Sequence, residues 1–227
     1  MPRQPAARTL IIAVLAGAAA FIGLALFFYE RPQPLSPDQS IAEWASKNLT
    51  EATIDGLTFV TNLAGNWFII VVTIVVAAYS YWRTRRWPAV ELLVMAAAGQ
   101  WLISNTVKLL VQRPRPALDP QVIAHGSSFP SGHSSGAAAT YLAIALVLGL
   151  FVAARTRLVL IVTAIAVSIA VAASRVLLGV HWPTDVIGGL ILGWTWCGVC
   201  YLTFGGAHFR DRALGTDSLV SEPPESH

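Results

Sequence analysis

Charge is what this sequence has least of. Asp, Glu, Lys and Arg make up 12% of its 227 residues, about half the share usual in soluble domains, while 55% are hydrophobic and mean hydropathy is +0.61. That balance excludes an ordinary soluble globular domain. Cysteine is nearly absent: Cys197 and Cys200 share one apolar segment, with no second pair for a zinc site or a disulfide framework, so a buried apolar role is expected for both. Carboxylates are sparse in stretches 108–131 and 175–185, which hold only Asp119 and Asp185, too few for a magnesium or two-metal site. A basic stripe is also lacking. The net charge is +3 and the pI about 9.1, yet the Lys and Arg residues are divided among short connections, which argues against a nucleic-acid partner. There is no internal repeat period.

Apolar segments are what the chain does have. Stretches 9–29, 56–82, 92–107, 132–154, 158–174 and 186–209 carry no charged residue. A helix needs about 20 apolar residues to cross a bilayer core, so the expected fold is all-α, a bundle of six transmembrane helices. The third and fifth helices reach full length by extending to about 89–109 and 157–176, which places Lys108 and Arg175 at helix ends. The apolar run of 9–29 is longer than the roughly 7–15 residues of a secretory signal core, so a retained anchor is expected.

Basic residues mark one side of such a bundle: Arg3 and Arg8 before the first helix, Arg83, Arg85 and Arg86 after the second, Arg155 and Arg157 between the fourth and fifth, Arg210 and Arg212 after the sixth. The first opposite connection, 30–56, carries Glu30, Asp38, Glu43, Glu51 and Asp55 against Arg31 and Lys47. The positive-inside rule then puts both termini in the cytoplasm of a cell-membrane protein and turns 108–131 and 175–185 outward. The expected organisation is a cytoplasmic segment and first helix over 1–29, an extracytoplasmic loop over 30–56, a core over 57–204 and a disordered cytoplasmic tail over 205–227. Within the loop, Asp38 to Lys47 suits an amphipathic stretch on the membrane surface. Trp67, Trp82, Trp87, Trp101 and Trp182 lie near segment ends, as an interfacial aromatic belt does.

The two later outward connections concentrate Lys108, Arg113, Arg115, Ser131, His133, Arg175, His181 and Asp185. Ionisable clusters beside lipid are costly and functional by default. Phosphoryl transfer depends on positioning and on stabilising charge over three oxygens. Lys108, Arg115 and Arg175 suit a clamp on those oxygens, the arginines through planar forks, with Pro114 and Pro116 stiffening the chain around Arg115. Ser131 and Gly132 lead into the fourth apolar segment, where a capping serine and free N–H groups form a nest for an anion. His133 in the same turn suits a general acid. Pro183 fits a first helical position, and Asp185, four residues after His181, can accept a ring N–H and orient the other nitrogen for attack. Singly, each has a plainer reading: a histidine as an interfacial polar group, as for His125, His208 and His227, a Ser-Gly pair as a cap, an arginine as a topology signal or headgroup contact, the reading adopted for Arg113. Their joint placement favours chemistry.

The same residues resemble, in order and spacing, the three-part signature of the type 2 phosphatidic acid phosphatase superfamily. Lys108, six residues, Arg115 and Pro116 resemble its first motif; Pro130, Ser131, Gly132 and His133 its second; Ser174, Arg175, five residues, His181, three residues and Asp185 its third. No motif position departs, and the likeness covers about residues 57–204. The resemblance implies a phosphohistidine at His181, orientation of His181 by Asp185, protonation of the leaving group by His133, phosphate binding by Lys108, Arg115, Ser131, Gly132 and Arg175, and neither metal nor cofactor. The catalytic pocket is then expected at the outer membrane face of the bundle. Soluble haloperoxidases and periplasmic acid phosphatases share that pocket, but six apolar spans argue against both. A lipid transporter would carry its charges through the helix centres and show paired broken helices, and neither is present here. The short loops look like the bacterial lipid phosphatases, which act on undecaprenyl diphosphate, phosphatidylglycerol phosphate or phosphatidate; a polyprenyl diphosphate is favoured, by family analogy.

Overall fold

The structure, a computed structural model, describes residues 4–117 and 120–204. Arg3, Asp119 and the expected tail 205–227, with His208, Arg210, Arg212 and His227, lie outside the described residues. Those described form eight helices and no strand: α1 (Gln4–Glu30), α2 (Ser36–Asn48), α3 (Glu51–Asn62), α4 (Asn66–Thr84), α5 (Pro88–Val111), α6 (Gly132–Leu148), α7 (Ala154–Leu177) and α8 (Pro183–Thr203). Five of them, α1, α4, α5, α7 and α8, are long and apolar enough to cross a membrane, whereas α6 is an apolar helix of only 17 residues.

The charge-free stretch 56–82, expected as one span, is divided. The N–H groups of Leu63, Ala64 and Gly65 bond the carbonyls of Val60, Thr61 and Asn62, a tight i to i+3 pattern that ends the α-helical ladder, and α4 restarts after an extended Gly65. The connection 30–56 is largely helical. Pro37 stands in the first turn of α2, where a missing N–H costs nothing, and Asp38 accepts the Leu35 N–H at 3.2 Å. The stretch expected to be amphipathic, Asp38 to Lys47, lies within α2, with Ala42 and Ala45 buried and Ile41 and Trp44 exposed.

At the centre stands α6, packed on α5, α7, α8 and α4. Its buried face is made of small side chains, Ala137, Ala138, Ala139 and Ala143 among them, and α8 meets it with Gly189 and Gly193. A Cβ on Gly189 would lie 2.7 Å from the Ser131 carbonyl oxygen, and one on Gly193 would press still closer on that of Ser135. This small-residue seam lets two backbones touch, as membrane helix pairs do. Around the centre the polarity is that of a protein in lipid: Ile12 and Leu15 of α1, Ile74 and Val75 of α4, and Leu158 and Val159 of α7 face outward, and hydrocarbon is the medium that accepts such a surface. Cys197 and Cys200 are buried free thiols, and Cys197 packs in the cluster with Leu92, Leu93 and Val147.

Of the tryptophans expected at the interface, Trp67, Trp82, Trp87 and Trp101 are exposed, but Trp182 is buried. Its indole N–H donates to the Pro114 carbonyl at 2.9 Å, so it braces the turn before α8 and is not part of a belt. The guanidinium of Arg83 lies 5.9 Å over the Phe151 ring, so the α4–α5 and α6–α7 connections share one end of the bundle. The C-termini of α5 and α7 and the N-termini of α6 and α8 meet at the other.

The seam is testable through overpacking. Gly193→Ala should lower the thermal midpoint in detergent, with a cost of about 1–3 kcal/mol, whereas Gly23→Ala, with nothing within 4 Å of the added Cβ, should leave it unchanged. Equal midpoints for the two variants would mean that α6 and α8 do not touch.

Candidate active site

The first turn of α8 sets the register of the site. Asp185, its third residue, takes the Trp182 N–H on Oδ2 at 2.8 Å, a side chain reaching back over its own helix N-terminus. The Asp185 carbonyl accepts the Ser131 N–H at 3.0 Å, which ties this turn to the start of α6. Ser131 is the N-cap there: its hydroxyl accepts from the Ser134 N–H at 3.4 Å and from the Ser134 hydroxyl at 2.9 Å. The N–H groups of Gly132 and His133 follow in the first turn, where a helix supplies no partner of its own.

His181 stands in the turn between α7 and α8, where Gly179 takes a φ of 70°, a left-handed conformation that glycine adopts freely. The ring is 2% exposed. Its Nε2 lies 3.1 Å from Arg115 Nη1, and because a guanidinium can only donate, Nε2 presents its lone pair and the ring proton resides on Nδ1. Nδ1 faces Asp185 Oδ2 at 3.5 Å and has no closer acceptor, so this contact is at ion-pair length and longer than an ordinary hydrogen bond. Burial pushes the His181 pKa down to about 3; Asp185 opposes the shift, while Arg115 and Lys108 add to it. The imidazole is therefore neutral at physiological pH.

Two cations, Arg115 and Lys108, act on that ring, and Arg175 stands near both of them. Lys108, in the last turn of α5, donates to the Ser127 carbonyl at 2.8 Å, with its Cε 4.0 Å from where a Cβ on Gly132 would be. Arg115 donates to the carbonyls of Gly126 at 3.0 Å, Val180 at 2.7 Å and His125 at 2.9 Å, and burial lowers its pKa from the usual arginine value. Arg175 bonds Thr61 Oγ1 through Nη1 at 3.1 Å, and its buried Nε has no partner. His133 is half-buried and lies among the charges of Arg175, Lys108 and Arg115. All eight residues singled out in the sequence thus gather at one end of the bundle. Among the described residues no three His, Cys, Asp or Glu side chains form a metal-ligand set.

Arg113 departs from its expected place at the lipid headgroups. It is 1% exposed, donates to Asp185 Oδ1 at 2.6 Å and to Asp38 Oδ2 at 2.8 Å, and stacks with its guanidinium carbon 3.7 Å from the Phe28 ring centre. The physical reason is that α5 ends at Val111 with Gln112 left-handed, which turns the next side chain inward. Sequence reasoning also passed over Ser128, whose hydroxyl donates to Asp185 Oδ2, and Thr61 and Asp38, which lie 114 and 146 residues from the groups they bond, Arg175 and Thr184. Local spacing carried no signal for the last two.

Residues 88–208 match the family model described as the PAP2 superfamily. The chain is 34% identical over 139 residues to phosphatidylglycerophosphatase B of Bacillus subtilis, covering 60% of this chain and 68% of that one. It is 32% identical over 170 residues to decaprenylphosphoryl-5-phosphoribose phosphatase of Mycobacterium tuberculosis, covering 71% and 84%. The crystal structure of a transmembrane PAP2-type phosphatidylglycerolphosphate phosphatase from Bacillus subtilis superposes with a TM-score of 0.75 at 25% identity, over 82% of this chain and 94% of that one. That of Aquifex aeolicus LpxE superposes at 0.57 and 21% identity, over 73% and 94%, which is a likeness of fold.

The neutral, buried His181 has a consequence for stability. The unfolded histidine titrates near 6.5 and the folded one at about 3, so between those values the unfolded chain binds more protons and folding weakens as pH falls. The wild type should lose thermal stability as pH drops below about 6.5, and His181→Gln should lose less over the same window. Parallel curves for the two proteins would show that His181 is not held neutral.

Proposed function

As a member of the PAP2 superfamily this chain is a multi-pass membrane lipid phosphatase, and we propose that it works without metal through a phosphohistidine on His181. The observation that supports this most is the lone pair of His181 Nε2, held toward the cationic cluster with the proton on the opposite nitrogen facing Asp185. In the proposed reaction Nε2 attacks the terminal phosphorus as its bond to the leaving oxygen breaks, that of the lipid monophosphate for a diphosphate substrate and that of the lipid alcohol for a monophosphate, and the imidazolium that develops is stabilised by Asp185. His133 gives the departing oxygen a proton, then takes one from the water that attacks the phosphohistidine, releasing inorganic phosphate. Lys108, Arg115, Arg175 and the N–H groups after Ser131 bind the phosphoryl oxygens. An arriving phosphate exchanges for some of the carbonyls that Arg115 and Lys108 now hold, and its negative charge offsets the three cations.

For the substrate we favour a polyprenyl diphosphate of the undecaprenyl type. The decaprenyl-linked substrate in the name of one relative supports a polyprenyl tail. The Bacillus subtilis likeness, in sequence and in fold, supports phosphatidylglycerol phosphate as a second reading, with phosphatidate as a third. We also propose that α6 crosses the membrane as a sixth span, short but enclosed by the others, and that residues 57–204 form the phosphatase core. In this arrangement the termini are cytoplasmic and the pocket opens at the outer membrane face, because Arg83, Arg85, Arg86, Arg155 and Arg157 lie at the end opposite His181.

Purified in detergent with excess EDTA, the protein should release phosphate from undecaprenyl diphosphate, phosphatidylglycerol phosphate or phosphatidate, and the ranking of rates identifies the substrate. His181→Ala should reduce the rate at least about 1,000-fold, and chelation should not. A His181→Ala protein retaining a tenth of the activity would remove the nucleophile assignment, and no release from any of the three lipids would move the balance toward a transporter. Gln121→Cys, in a background lacking Cys197 and Cys200, should react with an impermeant thiol reagent on intact cells; its backbone N–H bonds the Leu178 carbonyl at 3.1 Å, on the side of His181. Reaction only after lysis would invert the topology.

A further inference from the structure

We propose that Asp38 and Arg113 are positioning residues for Asp185 and, through it, for His181. The inference rests on the reading of His181 as nucleophile and Asp185 as its orienting group. It assigns a role to a residue of α2, outside the stretch 88–208 that matches the family.

Asp38, Arg113 and Asp185 are 1%, 1% and 0% exposed. Arg113 lies between the two carboxylates, Nη1 on Asp185 Oδ1 at 2.6 Å and Nη2 on Asp38 Oδ2 at 2.8 Å. Its remaining contacts fix the plane of the fork: Nε donates to the Pro32 carbonyl at 3.3 Å, Nη1 also reaches the Thr184 hydroxyl at 2.8 Å, and one face lies against Phe28. Asp38 in turn grips the start of α8. Its Oδ1 accepts the Thr184 N–H at 3.0 Å and its Oδ2 the Thr184 hydroxyl at 2.7 Å. Thr184 is the second residue of α8, so a carboxylate from another helix supplies an N-terminal cap beside the one Asp185 makes for itself.

Two carboxylates and one guanidinium out of water are an expensive way to hold helices together, and apolar side chains of similar volume would commonly do as well or better. The arrangement has a specific effect that apolar packing lacks. With Oδ1 engaged by Arg113, the Asp185 carboxylate cannot rotate about its own axis without breaking a charged bond, and Oδ2 stays where Trp182, Ser128 and His181 Nδ1 converge. Arg113 alone can swivel toward Asp185 and take both oxygens in a bidentate pair; the pull of Asp38 on Nη2 prevents that and leaves Oδ2 for the imidazole. Asp38 therefore acts on the orientation of the nucleophile through two intermediaries, in the manner of outer partners that tune the groups they touch.

The test uses the full-length protein in detergent micelles with the lipid phosphate turned over fastest, comparing Asp38→Asn, Arg113→Lys, Asp185→Asn and the two combinations with Asp185→Asn, with exposed Glu43→Gln as the control on α2. Asp38→Asn keeps the volume and one accepting oxygen, and Arg113→Lys keeps a positive charge while removing the planar fork, so both report even if Arg113→Ala does not fold. Each should lower kcat roughly 10- to 100-fold with KM changed less than about twofold, and in the Asp185→Asn background the same substitutions should cost almost nothing more, because the route through Asp185 is already cut. Wild-type kcat in both single variants would overturn the proposal. So would losses that multiply in full with Asp185→Asn, or that follow thermal stability and appear equally in KM. His181→Ala, run alongside, separates the levels: if it remains active, the reading of the site fails and this inference with it, whereas an inactive His181→Ala beside an unimpaired Asp38→Asn overturns the inference alone.

Discussion

An ionised carboxylate that no solvent reaches must be satisfied wholly by the protein, and in this chain that carboxylate is Asp185. It draws the Trp182 N–H, the Ser128 hydroxyl and Arg113 onto itself, and through its carbonyl it holds the Ser131 N–H. Each of those groups belongs to a different part of the end of the bundle: the turn before α8, the loop before α6, the loop after α5, and the cap of α6. Removing one charge from such a set leaves another buried and unpaired, which commonly costs about 3–5 kcal/mol. The geometry of the site is in that sense the solution to the burial of one charge.

The scaffold makes the solution possible. Gly189 and Gly193 let α8 lie directly on α6, so that Asp185 and Ser131 come within hydrogen-bond reach across two helix N-termini. Two helix ends pointed at one place supply partial positive charge, and Lys108, Arg115 and Arg175 add three full ones. In water such a concentration of positive charge would be strongly screened; at the end of an apolar bundle it is screened less. Burial, with the charges of Arg115 and Lys108 beside it, keeps His181 neutral.

The helices preceding the family-matched region are integrated with this site. Phe28 of α1 lies against Arg113 and packs at a tilt on Phe129, Asp38 of α2 holds Arg113 and Thr184, and Thr61 of α3 holds Arg175. A chain whose first helices were only a membrane anchor would not aim buried polar side chains from two successive helices, α2 and α3, at this end of the bundle.

Much of this was legible from residue order. The scarcity and segregation of charge identified membrane helices, because hydrocarbon forbids unpaired polar groups. The spacing of Lys108 and Arg115, of Ser131 to His133, and of Arg175, His181 and Asp185 pointed to the phosphatase family to which the chain belongs, because each group lies within one turn or loop of its neighbours and a local pattern records local geometry. What spacing could not record was the partner of a charge. Arg113 reads as a headgroup contact and Trp182 as a belt residue until the fold turns both inward; Asp38 is one acid among five in a connection; and the break at Gly65, inside an uninterrupted apolar run, depends on a turn that hydropathy does not sense. Those features were decided by tertiary structure, since a buried ion pair joins residues 75 apart in the chain and its existence depends on which backbones can approach closely enough to exclude water.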